Sequence, residues 1–61
     1  MPSFNCPQGY EIYQIIPSIQ ILTDRAGRVC FSFFQNDNGS WTAIQARDVD
    51  DQVIDAVSQA F

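Results

Sequence analysis

The spacing of apolar residues changes once along this chain. Up to Ala46 they fall in short runs separated by Gly, Pro, Asn and Asp, and from Val49 onward they recur every three or four positions. The first pattern predicts strands joined by tight turns and the second a single amphipathic helix. Tyr10–Ile16, Tyr-Glu-Ile-Tyr-Gln-Ile-Ile, is rich in aromatic and β-branched residues that suit a pleated surface. Pro17 cannot donate a ladder hydrogen bond. It predicts either two strands or one long strand bent at that point, and the bent or interrupted form is preferred because Ile16-Pro17-Ser18-Ile19 is not a primed hairpin turn.

Two turn signals then set a register. Asp24-Arg25-Ala26-Gly27 has Asp first and Gly fourth, the pattern of a type I turn closed by a G1 bulge. This loop places Thr23 opposite Val29, Ile21 opposite Phe31 and Ile19 opposite Phe33. Asn38-Gly39 reads as a two-residue type I′ turn, pairing Asp37 with Ser40, Gln35 with Thr42, Phe33 with Ile44 and Phe31 with Ala46.

From Asp48 to Phe61 the spacing predicts a helix with Asp48 as N-cap and Asp50 and Asp51 in the first turn, where the dipole favours acids. Val49, Val53, Ile54, Ala56, Val57, Ala60 and Phe61 fall within an arc of roughly 160°. One such stripe covers one sheet face, here Ile19, Ile21, Val29, Phe31, Phe33 and Ile44. The reverse face then carries Leu22, Cys30, Ser32, Phe34, Trp41, Ala43 and Gln45. The expected fold is α+β: an antiparallel meander of three to four strands (about 10–16, 18–24, 28–36 and 40–46) with one C-terminal helix (about 48–60) on one face. Residues 1–9, with Pro2, Pro7 and Gly9 and no periodicity, read as an irregular arm before a single small domain of residues 10–61.

Size and composition narrow the functional classes. A chain of 61 residues buries only about 60% of its unfolded surface, so its core is marginal and self-association is one remedy. Seven acids stand against three arginines (Arg25, Arg28, Arg47), with no lysine or histidine, for a net charge of −4. Nucleic-acid binding needs clustered basic residues, and an anionic membrane surface is disfavoured for the same reason. As a DNA mimic the chain is under-charged. The aromatic residues Phe31, Phe33, Phe34 and Trp41 are suited in kind to stacking bases, but the basic groove is missing. No segment approaches about 18 apolar residues, and the start lacks a signal-peptide pattern, so cytoplasmic residence is expected. Asn38-Gly39-Ser40 is then turn chemistry in preference to a glycan acceptor.

Catalytic groups are scarce. Without histidine or lysine, the commonest general base and the Schiff-base nucleophile are missing. Glu11 and one Asp are a conceivable carboxylate pair that nothing brings together. Cys6 and Cys30 read as free thiols, a disulfide between them being the alternative in an oxidising compartment. A zinc site would need ligands from two chains. The acidic run Asp48-Val49-Asp50-Asp51 lacks the spacing of a calcium loop and reads as a solvated helix start. The glycines at 9, 27 and 39 are isolated turn residues and form no phosphate loop. No enzyme, cofactor or metal is expected.

What remains is an aromatic cluster. Leu22, Phe34 and Trp41, on the face away from the helix, are the expected interaction surface, since exposed aromatic patches mark binding sites. The competing reading is a second small core, with Tyr10–Ile16 or the arm folded over the cluster. The expected function is a non-enzymatic protein–protein interaction module: a small homo-oligomeric adaptor, regulator or inhibitor. Its expected partners are itself, as a homodimer, and a protein with a basic or apolar patch, with no nucleic acid and no membrane. The alternative is a structural accessory subunit of a larger assembly, docking by strand addition at the 10–16 edge.

Overall fold

The computed structural model describes residues 4–61; residues 1–3 of the expected arm lie outside the described residues. Strands β1 (Glu11–Ile16), β2 (Ile19–Thr23), β3 (Val29–Gln35) and β4 (Trp41–Gln45) form one antiparallel sheet in chain order, followed by α1 (Asp51–Ala60). The α+β meander is as expected, with four strands whose ends fall within one residue of the expected bounds. No helix among the described residues is long and apolar enough to cross a membrane.

At Pro17 the chain turns and does not merely bend. Pro17 and Ser18 link the paired residues Ile16 and Ile19. Neither has positive φ, which excludes the primed turns and type II. An unprimed two-residue turn splays its strands. A register shift between Gln14 and Ile16 bulges Ile15 beside the turn and absorbs the mismatch.

The other two loops share one construction. Asp24 N–H donates to the Arg28 carbonyl (3.0 Å) and Gly27 N–H to the Asp24 carbonyl (3.0 Å). In the same way Asn36 N–H donates to Ser40 (2.7 Å) and Gly39 N–H to Asn36 (3.0 Å). The type I′ turn expected at Asn38-Gly39 is therefore corrected to a three-residue loop, Asp37-Asn38-Gly39. A type I′ turn requires positive φ at both central residues, and of the two only Gly39 has it (87°). Side chains select the wider loop. Asn36 Nδ2 donates to Ser40 Oγ (3.0 Å) and Thr42 Oγ1 (2.9 Å), while Asn38 Oδ1 accepts from Ser40 N–H (3.0 Å).

In the first loop the Asp24 carboxylate is the clamp, accepting from the amides of Ala26 (2.9 Å) and Arg28 (3.0 Å) and from Arg28 Nε (2.9 Å). The Arg28 amide first, then the Arg28 guanidinium and the Ala26 amide, hold the carboxyl below its ordinary range against an upward push from desolvation. A depressed folded-state pKa contributes stability above the unfolded value and loses it as pH falls through the folded one. The Ala26 and Arg28 amides should therefore exchange faster only below about pH 4, with a midpoint under that of an ordinary aspartate, as read by NMR. A midpoint at the ordinary value would remove the clamp.

The pairing differs from the expected register in both hairpins. Thr23 faces Val29 as expected, but a shift follows, and Leu22 pairs with Phe31, Ile21 with Ser32 and Ile19 with Phe34. Cys30 is the extra residue, a bulge that turns Cys30 and Phe31 into the core together. In the second hairpin the wider loop sets Phe33 opposite Ala43, Phe34 opposite Thr42 and Gln35 opposite Trp41. Each one-residue change transfers a strand's side chains to the other face. Ile19, Ile21 and Ile44 thus leave the helix side, and Leu22, Cys30, Trp41, Ala43 and Gln45 join it.

The core comprises Leu22, Cys30, Phe31, Phe33, Val53 and Val57. The stripe of α1 is as expected: Val53 and Val57 are buried, Ile54, Ala56 and Ala60 are half-buried, and Asp51, Gln52, Asp55, Ser58 and Gln59 are exposed. The helix begins later than expected, with Asp50 and not Asp48 as N-cap, and its side chain makes no capping bond. Residues 46–50 are spent crossing from edge strand β4 to the sheet face, and Val49 still packs against the core from that link. The arm also lies on the helix side. Phe4 packs against Phe33 and Phe61 with centroids 6.3 and 6.2 Å away, and Phe61 stacks on Phe33 at 4.3 Å.

Candidate functional site

Of the three residues expected to form the interaction surface, only Phe34 is on the face opposite the helix. Leu22 is fully buried beneath α1. Trp41 is half-buried on the helix side, edge-on to Phe61 with centroids 6.2 Å apart. The bulge at Cys30 moved the first and the three-residue loop at Asp37–Gly39 moved the second.

The register assembles a different apolar surface around Phe34. Directly paired residues share a face, so two rows cross the sheet: Ile16–Ile19–Phe34–Thr42 and Tyr13–Ile21–Ser32–Ile44. Ile16, Phe34, Tyr13 and Ile44 are 48, 37, 47 and 52% exposed, and Ile19 and Ile21 are half-buried between them. The second core expected as an alternative does not form here among the described residues: β1 pairs at the edge, and Phe4 of the arm lies on the opposite face. Sequence reasoning missed Tyr13, Ile21 and Ile44 because it had them off this face or unassigned.

The electrostatics of this face are simple. Glu11 is the one charged residue in the strand positions facing this way, and it accepts a hydrogen bond from the Tyr13 hydroxyl. That bond, then the charge of Glu11, raises the Tyr13 pKa. Apart from Glu11, the side chains on this face are aliphatic, aromatic or uncharged, and they offer contact area and shape.

The cysteines are free: Cys6 is exposed, and Cys30 is buried, with burial first and then the Asp24 charge pushing its thiol up. An open cleft of about 450 Å³ between the β2–β3 loop and the start of α1 is lined by Tyr10, Asp24, Arg25, Arg28 and Asp50 among others. Its Asp24 and Arg28 are spent on each other. Among the described residues no group of three or more His, Cys, Asp or Glu stands close enough to hold a metal ion.

No protein-family model matches the chain, and no curated protein or solved structure is detectably similar to it.

Proposed function

We propose that this chain is a non-enzymatic protein–protein interaction module, a small homo-oligomeric adaptor, regulator or inhibitor that engages its partner through the open sheet face. The supporting observation is that face itself: Tyr13, Ile16, Phe34 and Ile44 stand exposed together on one sheet face with one charge at its corner. Contiguous apolar surface of this kind marks interaction sites, and aromatic residues dominate binding energy. Phe34 and Tyr13 are the anchors, with Ile21 and Ile44 between and beside them.

The partner presents an apolar patch. A net charge of −4, with all the charged residues but Glu11 lying on the loops and helix, favours one with a basic rim. The absence of histidine and lysine supports a role without catalysis, and three scattered arginines support one without nucleic acid. Two free thiols support cytoplasmic residence. Strand addition at β1, as an accessory subunit, has less in its favour: the bulge at Ile15 and Pro17 both interrupt that edge.

The test is site-specific photocrosslinking in the host, with the reactive side chain at position 34 or, as control, at exposed Gln59. A discrete protein adduct is expected from position 34, and Tyr13→Ala should weaken the captured partner by about 2 kcal/mol, roughly thirtyfold. Adducts from position 59 with none from position 34 would overturn the assignment.

A further inference from the structure

The two edges of the sheet are built differently. β1 carries a charge at Glu11, a bulge at Ile15 and a proline immediately after it, all devices that spoil an edge as a pairing template. β4, Trp-Thr-Ala-Ile-Gln, has no charge and no proline, and its register against β3 is unbroken from Gln35–Trp41 to Phe31–Gln45. Thr42, Ala43, Ile44 and Gln45 are exposed, so beyond Trp41, which packs on Phe61, neither side of this strand is covered.

The backbone of β4 offers a symmetric set of free groups. Asn36 N–H donates to the Ser40 carbonyl, and Ala46 N–H donates to the Cys30 carbonyl at 2.8 Å. Antiparallel bonding alternates along a strand, so Thr42 and Ile44 also turn their backbone groups toward β3. Trp41, Ala43 and Gln45 therefore direct N–H and C=O outward, with Ala43 at the centre.

We propose that a second copy of this chain pairs here, β4 against β4, antiparallel about a two-fold axis through Ala43. Ala43 then exchanges both bonds with its counterpart, and Trp41 of each copy does so with Gln45 of the other. Any other two-fold register leaves one of these residues unpaired. The ends of the strands also match in charge. Arg47, just beyond β4, donates its Nε to the Val29 carbonyl of its own chain (3.1 Å), and its terminal amino groups come to the Asp37–Gly39 loop of the other copy, where Asp37 is exposed and in no ion pair among the described residues. The axis is perpendicular to the sheet, so both helices lie on one side and both open faces merge on the other.

This inference rests on the self-associating module proposed above and locates its self-contact at the edge, leaving the face for the partner. Sedimentation velocity over a wide concentration range tests it. The unaltered chain should reach twice its 6.9 kDa mass. Ala43→Pro removes an outward N–H at an edge position where proline is tolerated, and should sediment as a monomer that keeps the far-ultraviolet CD spectrum of a folded chain, whereas Phe34→Asp should remain dimeric. Asp37→Arg places like charges at both ends and should raise the dissociation constant at least tenfold at low salt, a readout that stands even if Ala43→Pro melts. A dimer that survives Ala43→Pro and Asp37→Arg but is lost in Phe34→Asp would overturn the edge contact and move self-association to the face. A monomer at every concentration would overturn self-association altogether.

Discussion

Phe33→Ala should leave the chain unfolded at room temperature. Phe33 is fully buried at the centre of the helix side, stacked on Phe61 at 4.3 Å and Phe31 at 5.8 Å, with Phe4 6.3 Å away. Truncating a buried phenylalanine costs about 3–5 kcal/mol. A domain of this size has little more than that in total, since stability runs at roughly 0.05–0.15 kcal/mol per residue. The loss is aggravated because Phe33 ties two distant parts of the chain to β3: the arm through Phe4 and the helix end through Phe61. The check is far-ultraviolet CD with a urea titration. Phe34→Ala, one residue away on the open face and 37% exposed, should lower the midpoint much less and leave the chain folded. Equal losses in the two variants would mean that the faces are misassigned.

Gln20→Met should raise stability by about 1–3 kcal/mol, the usual penalty for a buried polar group without a partner. Gln20 is 1% exposed, and neither its Nε2 nor its Oε1 has a hydrogen-bond partner among the described residues. It sits in the middle of the sheet, opposite Phe33 on one side and Gln14 on the other, on the face that α1 and the arm cover. Methionine has a similar length and no amide to desolvate, so the change relieves the penalty without opening a cavity. The expected readout is a rise in melting temperature of several degrees, at roughly 4–8 °C per kcal/mol for a domain of this length. A fall would mean that the amide is satisfied and holds the core together.

Elements were legible in the sequence because punctuation and periodicity are local properties. Gly27, Gly39 and Pro17 mark turns whatever the rest of the chain does, and the stripe from Val53 to Phe61 has one solution as a helix. Register was not legible, because it depends on counting residues through loops and bulges. Asn38-Gly39 is a strong two-residue signal, yet the structure uses Asn36 to open the loop. The hint was the repeated spacing of Asp24…Gly27 and Asn36…Gly39, an Asx three residues before a glycine in both. The bulge at Cys30 had a fainter sign: Val29-Cys30-Phe31 is apolar without interruption, where a half-buried strand would alternate. Missing these two placed Leu22 and Trp41 on the open face and hid Ile21 and Ile44. Phe34 kept its face because the same reversal applied to its partners and not to β3 beyond the bulge.

The assignment of the open face stands on the pairing of β3 with β4, and Hα–Hα cross-strand NOEs measure that pairing directly. With Thr42 and Ile44 hydrogen-bonded to Phe34 and Ser32, the close Hα contacts belong to the intervening pairs. Strong NOEs are predicted between Phe33 and Ala43 and between Phe31 and Gln45, which keep Phe34 and Ile44 together opposite the helix. An NOE between Phe34 and Ala43 in their place would restore the two-residue turn, return Ile44 to the helix side and contradict the binding face described for this chain.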